Sequence, residues 1–239
     1  MDVTEVVIAH LFPRRMNIYG DTGNVIALSR RLEWRSIPHR VDLVPVGADY
    51  DLLNADVVVA GGGEDSSQIE VARDVLARSE NLHAAVDAGV AFLVVCGTYQ
   101  LFGLRFIASD GSELPGIGVF DAETLSGEGR LIGNVIVESD FGRLVGFENH
   151  GGRTMLAAGQ AALGKVVKGN GNNDTTDEEG AVTNNCFGTY LHGSVLPKNP
   201  QFADELLMRG MARRHGAVSL EPLDDRAEMA AADSAAGRP

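Results

Sequence analysis

A cysteine followed directly by a glycine ends an apolar run in the segment AFLVVCGTYQLFGL (91–104). A strand that ends in a cysteine and turns at once into a helix exposes the sulfur at the carboxyl edge of a parallel sheet. Free N–H groups and the positive dipole end of a helix starting near Gly97 favour a thiolate. Cysteine is also among the most buried residue types, so Cys96 is either an inert core thiol or a nucleophile.

A cysteine that attacks an amide needs a proton carrier, normally a histidine, and N–H donors for the oxyanion. His192 is the strongest candidate because GTYLHGSV (188–195) places it after a strand, in a glycine turn late in the chain. GGGED (61–65) follows another predicted strand, and it predicts either a plain tight turn or an oxyanion loop. Cys186 has no base beside it in NNCFG and is interpreted as a packing residue. A structural interpretation is also favoured for His10, His39, His83 and His215.

The elements that must position these residues alternate along the amino-terminal half. Periodicity and composition predict strands at 4–12, 39–46, 55–65 and 90–95, and helices at 25–36 and 66–89. Continuous apolar strands with intervening helices are typical of a parallel sheet covered on both faces. The predicted fold class is therefore α/β, with a mostly parallel central sheet and helices on both faces.

The second half of the chain has a different pattern of predicted secondary structure. Short strands joined by glycine turns predict a more antiparallel extension of the sheet. A closing helix is predicted at 199–216. We expect one domain over residues 1–217, followed by a disordered acidic tail at 218–239 that carries no chemistry.

Composition excludes several classes of function. The 239 residues carry a net charge of −13, which repels phosphate backbones and argues against a nucleic-acid partner. Two cysteines and no CxxC pair argue against a disulfide framework and a zinc site, and they fit a reducing cytoplasm. The chain opens without a signal-peptide pattern, and its apolar runs are shorter than the ~20 residues that span a bilayer, so no membrane insertion is expected.

The order of a glycine-rich loop, a cysteine turn and a distant histidine resembles the class I glutamine amidotransferases. Within them, CGTYQLFG (96–103) is similar to the CGGYQxxG motif of the cobyric acid synthase-like branch. GFENHGGRT (146–154) and GTYLHG (188–193) are similar to that branch's GYEIHxG and GTYxHG motifs. The resemblance extends over roughly residues 4–215.

The resemblance implies a reaction and roles for particular residues. Cys96 would attack the side-chain amide of L-glutamine, and His192 would activate the thiol and then protonate the departing ammonia. The N–H of Gly97 and one from the Gly62–Gly63 turn would hold the oxyanion. No metal is implied at this site.

The resemblance also implies a substrate pocket. Arg130, in GEGRLIGN, would bind the glutamine; the alternative is an ordinary charge at a strand edge. Gln100 and the ENHGG segment would line the pocket, where Glu148 and His150 are either lining or structural.

Many members of the class read H-x-E at the histidine, whereas this chain reads His192-Gly193-Ser194. Either a Cys–His dyad operates, or a carboxylate arrives from elsewhere, such as a partner subunit. The segment MNIYGDTGN (16–24) and the absence of a synthetase domain resemble the glutaminase subunits that serve a Mur ligase-like synthetase acting on lipid II. That resemblance implies a hetero-oligomer with no cofactor in this chain and with ATP and Mg on the partner. A glutaminase for a cobyrinate-type amidase and a non-catalytic scaffold of the same fold are the alternatives.

Overall fold

The computed structural model describes residues 5–63, 65–192 and 194–238. Three positions named above therefore lie outside the described residues: Thr4 in the first predicted strand, Glu64 in the glycine-rich turn, and Gly193 after the candidate histidine. The ends of the two predicted domains, at residues 1–4 and 239, also lie outside them.

The helices and strands follow one another along the chain with few long connections. The strands are β1 (Val6–Leu11), β2 (His39–Val44), β3 (Val57–Ala60), β4 (Ala91–Val95), β5 (Arg105–Ile107), β6 (Glu113–Pro115), β7 (Ala122–Ser139), β8 (Gly142–Leu156), β9 (Gly164–Lys168), β10 (Glu178–Glu179), β11 (Ala181–Thr183) and β12 (Cys186–Thr189). The α-helices are α1 (Thr22–Trp34), α2 (Asp65–Ala77), α3 (Ser79–Asp87), α4 (Gly97–Phe102), α5 (Pro200–His215) and α6 (Arg226–Ala236).

The first sheet has the strand order β11-β12-β4-β3-β1-β2. Its neighbours are parallel except for the β11–β12 hairpin at the edge. Every residue of β1, β3, β4 and β12 is buried. Strands buried on both faces need helices on both faces, so the α/β fold predicted from the continuous apolar runs is confirmed.

The second sheet is a separate structure and not an extension of the first. It has the order β10-β9-β7-β5-β6, with β8 paired to β7. The strands β7 and β8 have 18 and 15 residues, so the prediction of short strands is wrong here. They pair antiparallel along nearly their whole length, interrupted by an irregularity between Ser126 and Leu131. In the sequence alone, the glycines inside this hairpin resemble turn residues, but cross-strand pairing keeps most of them extended.

The single helix predicted at 66–89 is two helices. Arg78 separates them with φ −102° and ψ 16°, outside the helical region. Its guanidinium donates to Asp74 at 2.6 Å and to the carbonyl of Ala48 at 3.2 Å. One local and one tertiary bond thus fix the residue at the break.

The carboxyl-terminal segment also differs from the prediction of a disordered tail, because residues 226–236 form α6. Arg31 is 3% exposed and donates to Asp204 at 2.5 Å and to Asp225, directly before α6, at 2.7 Å. A buried guanidinium needs such partners, so this network anchors the tail to α1 and α5. Among the described helices, none is both long and apolar enough to cross a membrane.

Candidate active site

Cys96 forms a sharp turn between β4 and α4. Its backbone has φ 52° and ψ −108°, a conformation that costs a non-glycine residue roughly 1 kcal/mol or more. Its N–H donates to the carbonyl of Thr189 on β12 at 2.9 Å, and its carbonyl accepts from Gln100 at 2.9 Å. The side chain is 9% exposed and lines a cavity, so the thiol is accessible to a small molecule.

Three adjacent strands bring the predicted groups together. Because β3, β4 and β12 are parallel neighbours, the residues that follow them meet at one edge of the sheet. A Cβ atom at Gly62 would lie 3.1 Å from Cys96 Cβ and 3.2 Å from His192 Cε1. Cys96 and His192 therefore flank the same glycine.

His192 is buried and uncharged. Its N–H donates to the carbonyl of Phe147 at 2.7 Å, and its ring centroid lies 4.5 Å from that of Tyr19. Burial lowers the pKa of His192 to about 3, with smaller contributions from the charges of His150 and Arg130. At neutral pH the imidazole is therefore neutral and a ring nitrogen keeps its lone pair, while burial disfavours the protonated form. Within the part of the chain that the structure describes, neither ring nitrogen has a hydrogen-bond partner.

The two glycines predicted to supply an oxyanion donor are not equivalent. The N–H of Gly62 donates to Asp21 Oδ2 at 3.0 Å, and its carbonyl accepts from Ile18 at 3.1 Å. Burial raises the pKa of Asp21 to about 6, against the opposing effect of the Gly62 N–H. Gly63 lines the cavity, whereas the N–H of Gly62 is already bonded, so Gly63 is the remaining candidate of the two for the predicted donor. Gly97 is the first residue of α4, where helix geometry leaves the N–H without an intrahelical partner.

Gln100 belongs to a hydrogen-bond chain in the wall of the cavity. Its Oε1 accepts from Gln68 Nε2 at 2.8 Å, and its Nε2 donates to the Tyr190 hydroxyl at 3.0 Å. The same hydroxyl is 2.7 Å from that of Thr154. Sequence reasoning missed Gln68, although its position just after the glycine-rich turn was a usable signal.

His150 both lines the cavity and supports it. Its ring stacks on Tyr190 with centroids 3.6 Å apart, and its Nδ1 donates to the carbonyl of Gly152 at 2.8 Å. Glu148 lies beneath it, fully buried, with Oε2 3.8 Å from His150 Nε2. Burial alone would raise the pKa of Glu148, but His150 and N–H groups of Asn170 and Gly171 hold that pKa below its usual value. Glu148 is therefore structural.

Arg130 lies at the β7 irregularity and lines the same cavity as Cys96. Its Nε donates to Asn149 Oδ1 at 2.6 Å, and its Nη2 donates to the Asn149 carbonyl at 2.6 Å. Nη2 also lies 3.4 Å from the Tyr19 hydroxyl. The guanidinium is exposed and faces the cavity that contains Cys96, which suits a group that captures an anion.

The cavity has a volume of about 510 Å³, enough for an amino acid. The predicted residues that line it are Gly63, Cys96, Gly97, Gln100, Arg130 and His150. Tyr19 and Gln68 line it as well and were not predicted. Among the described residues, no group of three His, Cys, Asp or Glu side chains could hold a metal ion.

The residues interpreted as structural lie away from this cavity. Cys186 is fully buried on β12, and burial raises the pKa of its thiol. His10 is buried on β1, where desolvation lowers its pKa to about 4. Their interpretation as packing residues agrees with this burial.

Known proteins resemble this chain in sequence and in fold. The GatD subunit of lipid II isoglutaminyl synthase from Staphylococcus aureus is 39% identical over 95% of this chain and 93% of its own length. The GatD subunit from Streptococcus pneumoniae is 36% identical over 87% of this chain and 82% of its own length. Cobyric acid synthase from Nocardia farcinica is 32% identical over 77% of this chain, which corresponds to 35% of that enzyme.

Solved structures share the fold at low sequence identity. PurLQS from Thermotoga maritima has a TM-score of 0.58 at 13% identity, over 84% of this chain and 97% of the matched chain. The glutaminase domain of Trypanosoma brucei CTPS, with bound acivicin, has a TM-score of 0.52 at 13% identity, over 91% of this chain and 96% of the matched chain. The model of the CobB/CobQ-like glutamine amidotransferase domain matches residues 7–200. The chain belongs to this CobB/CobQ-like glutamine amidotransferase family.

Proposed function

We propose that this chain is a glutaminase subunit that hydrolyses L-glutamine and supplies the ammonia to a synthetase. The observation that carries the proposal is the pairing of Cys96 on a strained turn with an uncharged, buried His192 across Gly62. Cys96 and the cationic Arg130 line one cavity, and His192 lies beside Cys96, buried behind the cavity lining. A thiol, a base and an anion-binding group around one amino-acid-sized cavity suit the hydrolysis of an amino acid's side-chain amide.

The first half of the reaction forms a thioester and releases ammonia. Cys96 Sγ attacks the side-chain carbonyl carbon of glutamine while His192 takes the thiol proton. The N–H groups of Gly97 and Gly63 stabilise the tetrahedral oxyanion, each by about 3 kcal/mol. The carbon–nitrogen bond then breaks, and the proton on His192 passes to the departing nitrogen, which leaves as ammonia.

The second half regenerates the enzyme. His192 takes a proton from water, and the resulting hydroxide adds to the thioester carbon. The carbon–sulfur bond breaks, Cys96 recovers the proton, and glutamate leaves. Arg130 binds the α-carboxylate throughout, because an N–H of a guanidinium forms a charge-assisted hydrogen bond with a carboxylate.

A partner subunit explains why His192 has no orienting carboxylate among the described residues. A dyad can operate alone, but a carboxylate from the partner would fix the imidazole and stabilise its charged form. We propose that the partner completes or orders the site, which suppresses glutamine hydrolysis in the free subunit. Turnover measured with and without the partner tests this, and equal rates would contradict it.

The proposed partner is a Mur ligase-like synthetase that amidates the α-carboxyl of D-glutamate in the lipid II stem peptide. The names of the two GatD relatives, lipid II isoglutaminyl synthase subunits, support this choice. Carboxylate activation, with ATP and Mg, would belong to that partner. Neither Cys96 nor Cys186 forms a disulfide, which suits the cytoplasm as the proposed location.

A cobyrinate-type amidase is the second candidate for the ammonia acceptor. Its support is the match to cobyric acid synthase, of which this chain corresponds to 35% of the length. Both candidates use the same glutaminase site and differ in the partner alone. Co-purification of this chain with a Mur ligase-like protein would favour lipid II, and co-purification with a cobyrinate-type synthase would overturn that assignment.

An ammonium bypass experiment tests the glutaminase role. In the complex with the synthetase, Cys96→Ala should abolish amidation with glutamine as donor and leave amidation with ammonium chloride intact. Cys186→Ala is the matched control because it removes the other, buried thiol, and it should leave glutamine-dependent amidation unchanged. Glutamine-dependent amidation by Cys96→Ala would overturn the proposal.

Covalent labelling separates the enzyme from a non-catalytic scaffold. Diazo-oxo-norleucine, a glutamine-mimicking electrophile, should add once to each copy of this subunit in the complex, and peptide mapping should place the adduct on Cys96. An unlabelled Cys96 in the presence of the partner would favour the scaffold.

A further inference from the structure

Tyr19 touches two functional groups that lie on different sheets. Its ring centroid is 4.5 Å from that of His192, with the ring planes inclined by 56°. Its hydroxyl oxygen accepts from Arg130 Nη2 at 3.4 Å. One side chain thus joins the proposed base on the first sheet to the proposed carboxylate-binding group on the second.

The loop that carries Tyr19 is tied to the site on both sides. Before it, the N–H of Ile18 donates to the Gly62 carbonyl at 3.1 Å. After it, the carbonyl of Gly20 accepts from Ser194 Oγ at 2.6 Å. Tyr19 is therefore held by backbone groups next to both the glycine-rich turn and the histidine segment.

The ring of Tyr19 orients the imidazole of His192 by packing, in place of a hydrogen bond. The imidazole is 0% exposed, and its nitrogens have no hydrogen-bond partner among the described residues. Its orientation must therefore come from packing and from its backbone bond to Phe147. The ring of Tyr19 supplies such packing and keeps water from the imidazole.

The tyrosine hydroxyl has a different effect, on Arg130. An exposed arginine loses much side-chain entropy when it binds a ligand, unless its guanidinium is already oriented. Asn149 fixes one edge of the guanidinium through Nε and Nη2. The hydroxyl of Tyr19 restrains the same Nη2 from the cavity side.

We propose that Tyr19 is a positioning residue whose ring fixes His192 for proton transfer and whose hydroxyl orients Arg130 toward the substrate carboxylate. The proposal rests on the proposed glutaminase function. The two effects belong to different parts of the side chain, so two substitutions separate them.

Tyr19→Phe removes the hydroxyl and keeps the ring. In the complex with the synthetase, KM for glutamine should rise about fivefold, the usual effect of losing one long, weak hydrogen bond, while kcat stays within twofold. Tyr50→Phe is the control, since it removes a hydroxyl that donates to Asp42, outside the cavity. Its KM should match that of the wild type.

Tyr19→Ala removes the ring as well. Without the Tyr19 ring, the imidazole of His192 can move. We expect kcat to fall by about tenfold or more, because small displacements of reacting groups slow the reaction strongly. Solvation of the ring should also move the acid limb of the kcat/KM profile toward higher pH. The ionisable or charged groups around the imidazole, Cys96, Asp21, His150 and Arg130, are the same in both variants, so Tyr19→Phe should keep the wild-type limb.

Each result is decisive. An unchanged KM in Tyr19→Phe, or an unchanged kcat and pH profile in Tyr19→Ala, would overturn the corresponding role. Equal losses in the two variants would overturn the role of the ring. A wild-type complex whose glutaminase activity does not depend on Cys96 would instead contradict the proposed function. Thermal unfolding of both variants would reveal a folding defect. If Tyr19→Ala has such a defect, the KM of the folded Tyr19→Phe variant still decides the role of the hydroxyl.

Discussion

The two sheets contribute to the cavity in different ways. At the edge of the first sheet, Cys96 is 9% exposed and His192 is 0% exposed, and both are held by backbone hydrogen bonds. On the second sheet, Arg130 is exposed at an irregularity of β7 and is fixed only by its side-chain contacts. Reacting groups need a dry and rigid setting, whereas a group that captures a charged substrate must first meet it in water.

This difference predicts a division of kinetic effects. Changes at the end of the first sheet should lower kcat, because they disturb interactions made during bond formation. Changes at the second sheet should raise KM, because they disturb interactions made equally with the bound substrate and the transition state. Both measurements are made on the complex with the synthetase.

The largest expected effect is at the proposed base. His192→Gln should lower kcat by about 1,000-fold, since general base catalysis contributes ~10²–10⁴-fold, and should change KM little. Steady-state glutamate release measures both constants. His39→Gln on β2 is the control and should retain wild-type rates. A kcat loss in His192→Gln of less than about tenfold would contradict the role of the first sheet.

The next effect is at the second sheet. Arg130→Ala should raise KM for glutamine by about 10–100-fold, the usual value of charge-assisted hydrogen bonds, with a much smaller change in kcat. Saturation kinetics would show the split. Arg105→Ala removes another, partly buried arginine of that sheet, paired with Glu123, and should leave KM unchanged. A loss confined to kcat in Arg130→Ala would break the comparison.

Gly62→Ala sharpens the comparison within the first sheet. The new Cβ would stand 3.1 Å from Cys96 Cβ and 3.2 Å from His192 Cε1, so it must push the two groups apart. We expect kcat to fall about tenfold with little change in the melting temperature. Gly133→Ala on β7 adds a Cβ with nothing within 4 Å, and it should have wild-type kinetics. Equal kinetics for the two variants would show that the Cys–His spacing tolerates displacement.

The smallest effect on catalysis is expected where the sheets join. Glu179 of β10 is fully buried and accepts from the Thr189 hydroxyl at 3.0 Å and from the Tyr190 N–H at 2.7 Å. Burial raises the pKa of Glu179 to about 7. A raised carboxyl pKa means that the folded state holds the proton more tightly, so stability falls as pH rises from about 4.5 through about 7.

Glu179→Gln removes that titration. Between pH 4 and 8, the free energy of unfolding of the wild type should fall by about 3 kcal/mol more than that of the variant. Urea unfolding at several pH values measures the difference, and kcat at neutral pH should change by less than about threefold. If the free energies of unfolding of the wild type and the variant changed in parallel with pH, Glu179 would ionise as easily in the folded protein as in the unfolded chain.

Local patterns predicted much of the fold. Continuous apolar runs located β1, β3 and β4, a mixed run at 39–46 located β2, and a run followed by Cys-Gly located the turn into α4. The long β7–β8 hairpin was missed because its glycines look like turns until a second strand pairs with them. The helix α6 was missed because its anchor, Arg31, lies 194 residues from Asp225. Short-range sequence patterns carry no information on such contacts.

The candidate site shows the same division. Residue types and neighbours singled out Cys96 and His192, because a nucleophile at a strand end and a histidine in a late glycine turn are local features. Gln68 and Tyr19 were missed, since a glutamine and a tyrosine are ordinary residues until the fold places them in a cavity. Sequence also treated Gly62 and Gly63 alike, and only the bond from Gly62 to Asp21 distinguishes them.

The sequence by itself determined the chemistry that is available: one thiol at a strained turn, one histidine after a neighbouring strand, and a parallel sheet to align them. The tertiary structure alone decided which atoms meet. It set Tyr19 between His192 and Arg130, turned the Gly62 N–H toward Asp21, and placed the second sheet across the cavity. The physical reason is range, because strand and turn propensities act between near neighbours, whereas these contacts join segments separated by many tens of residues.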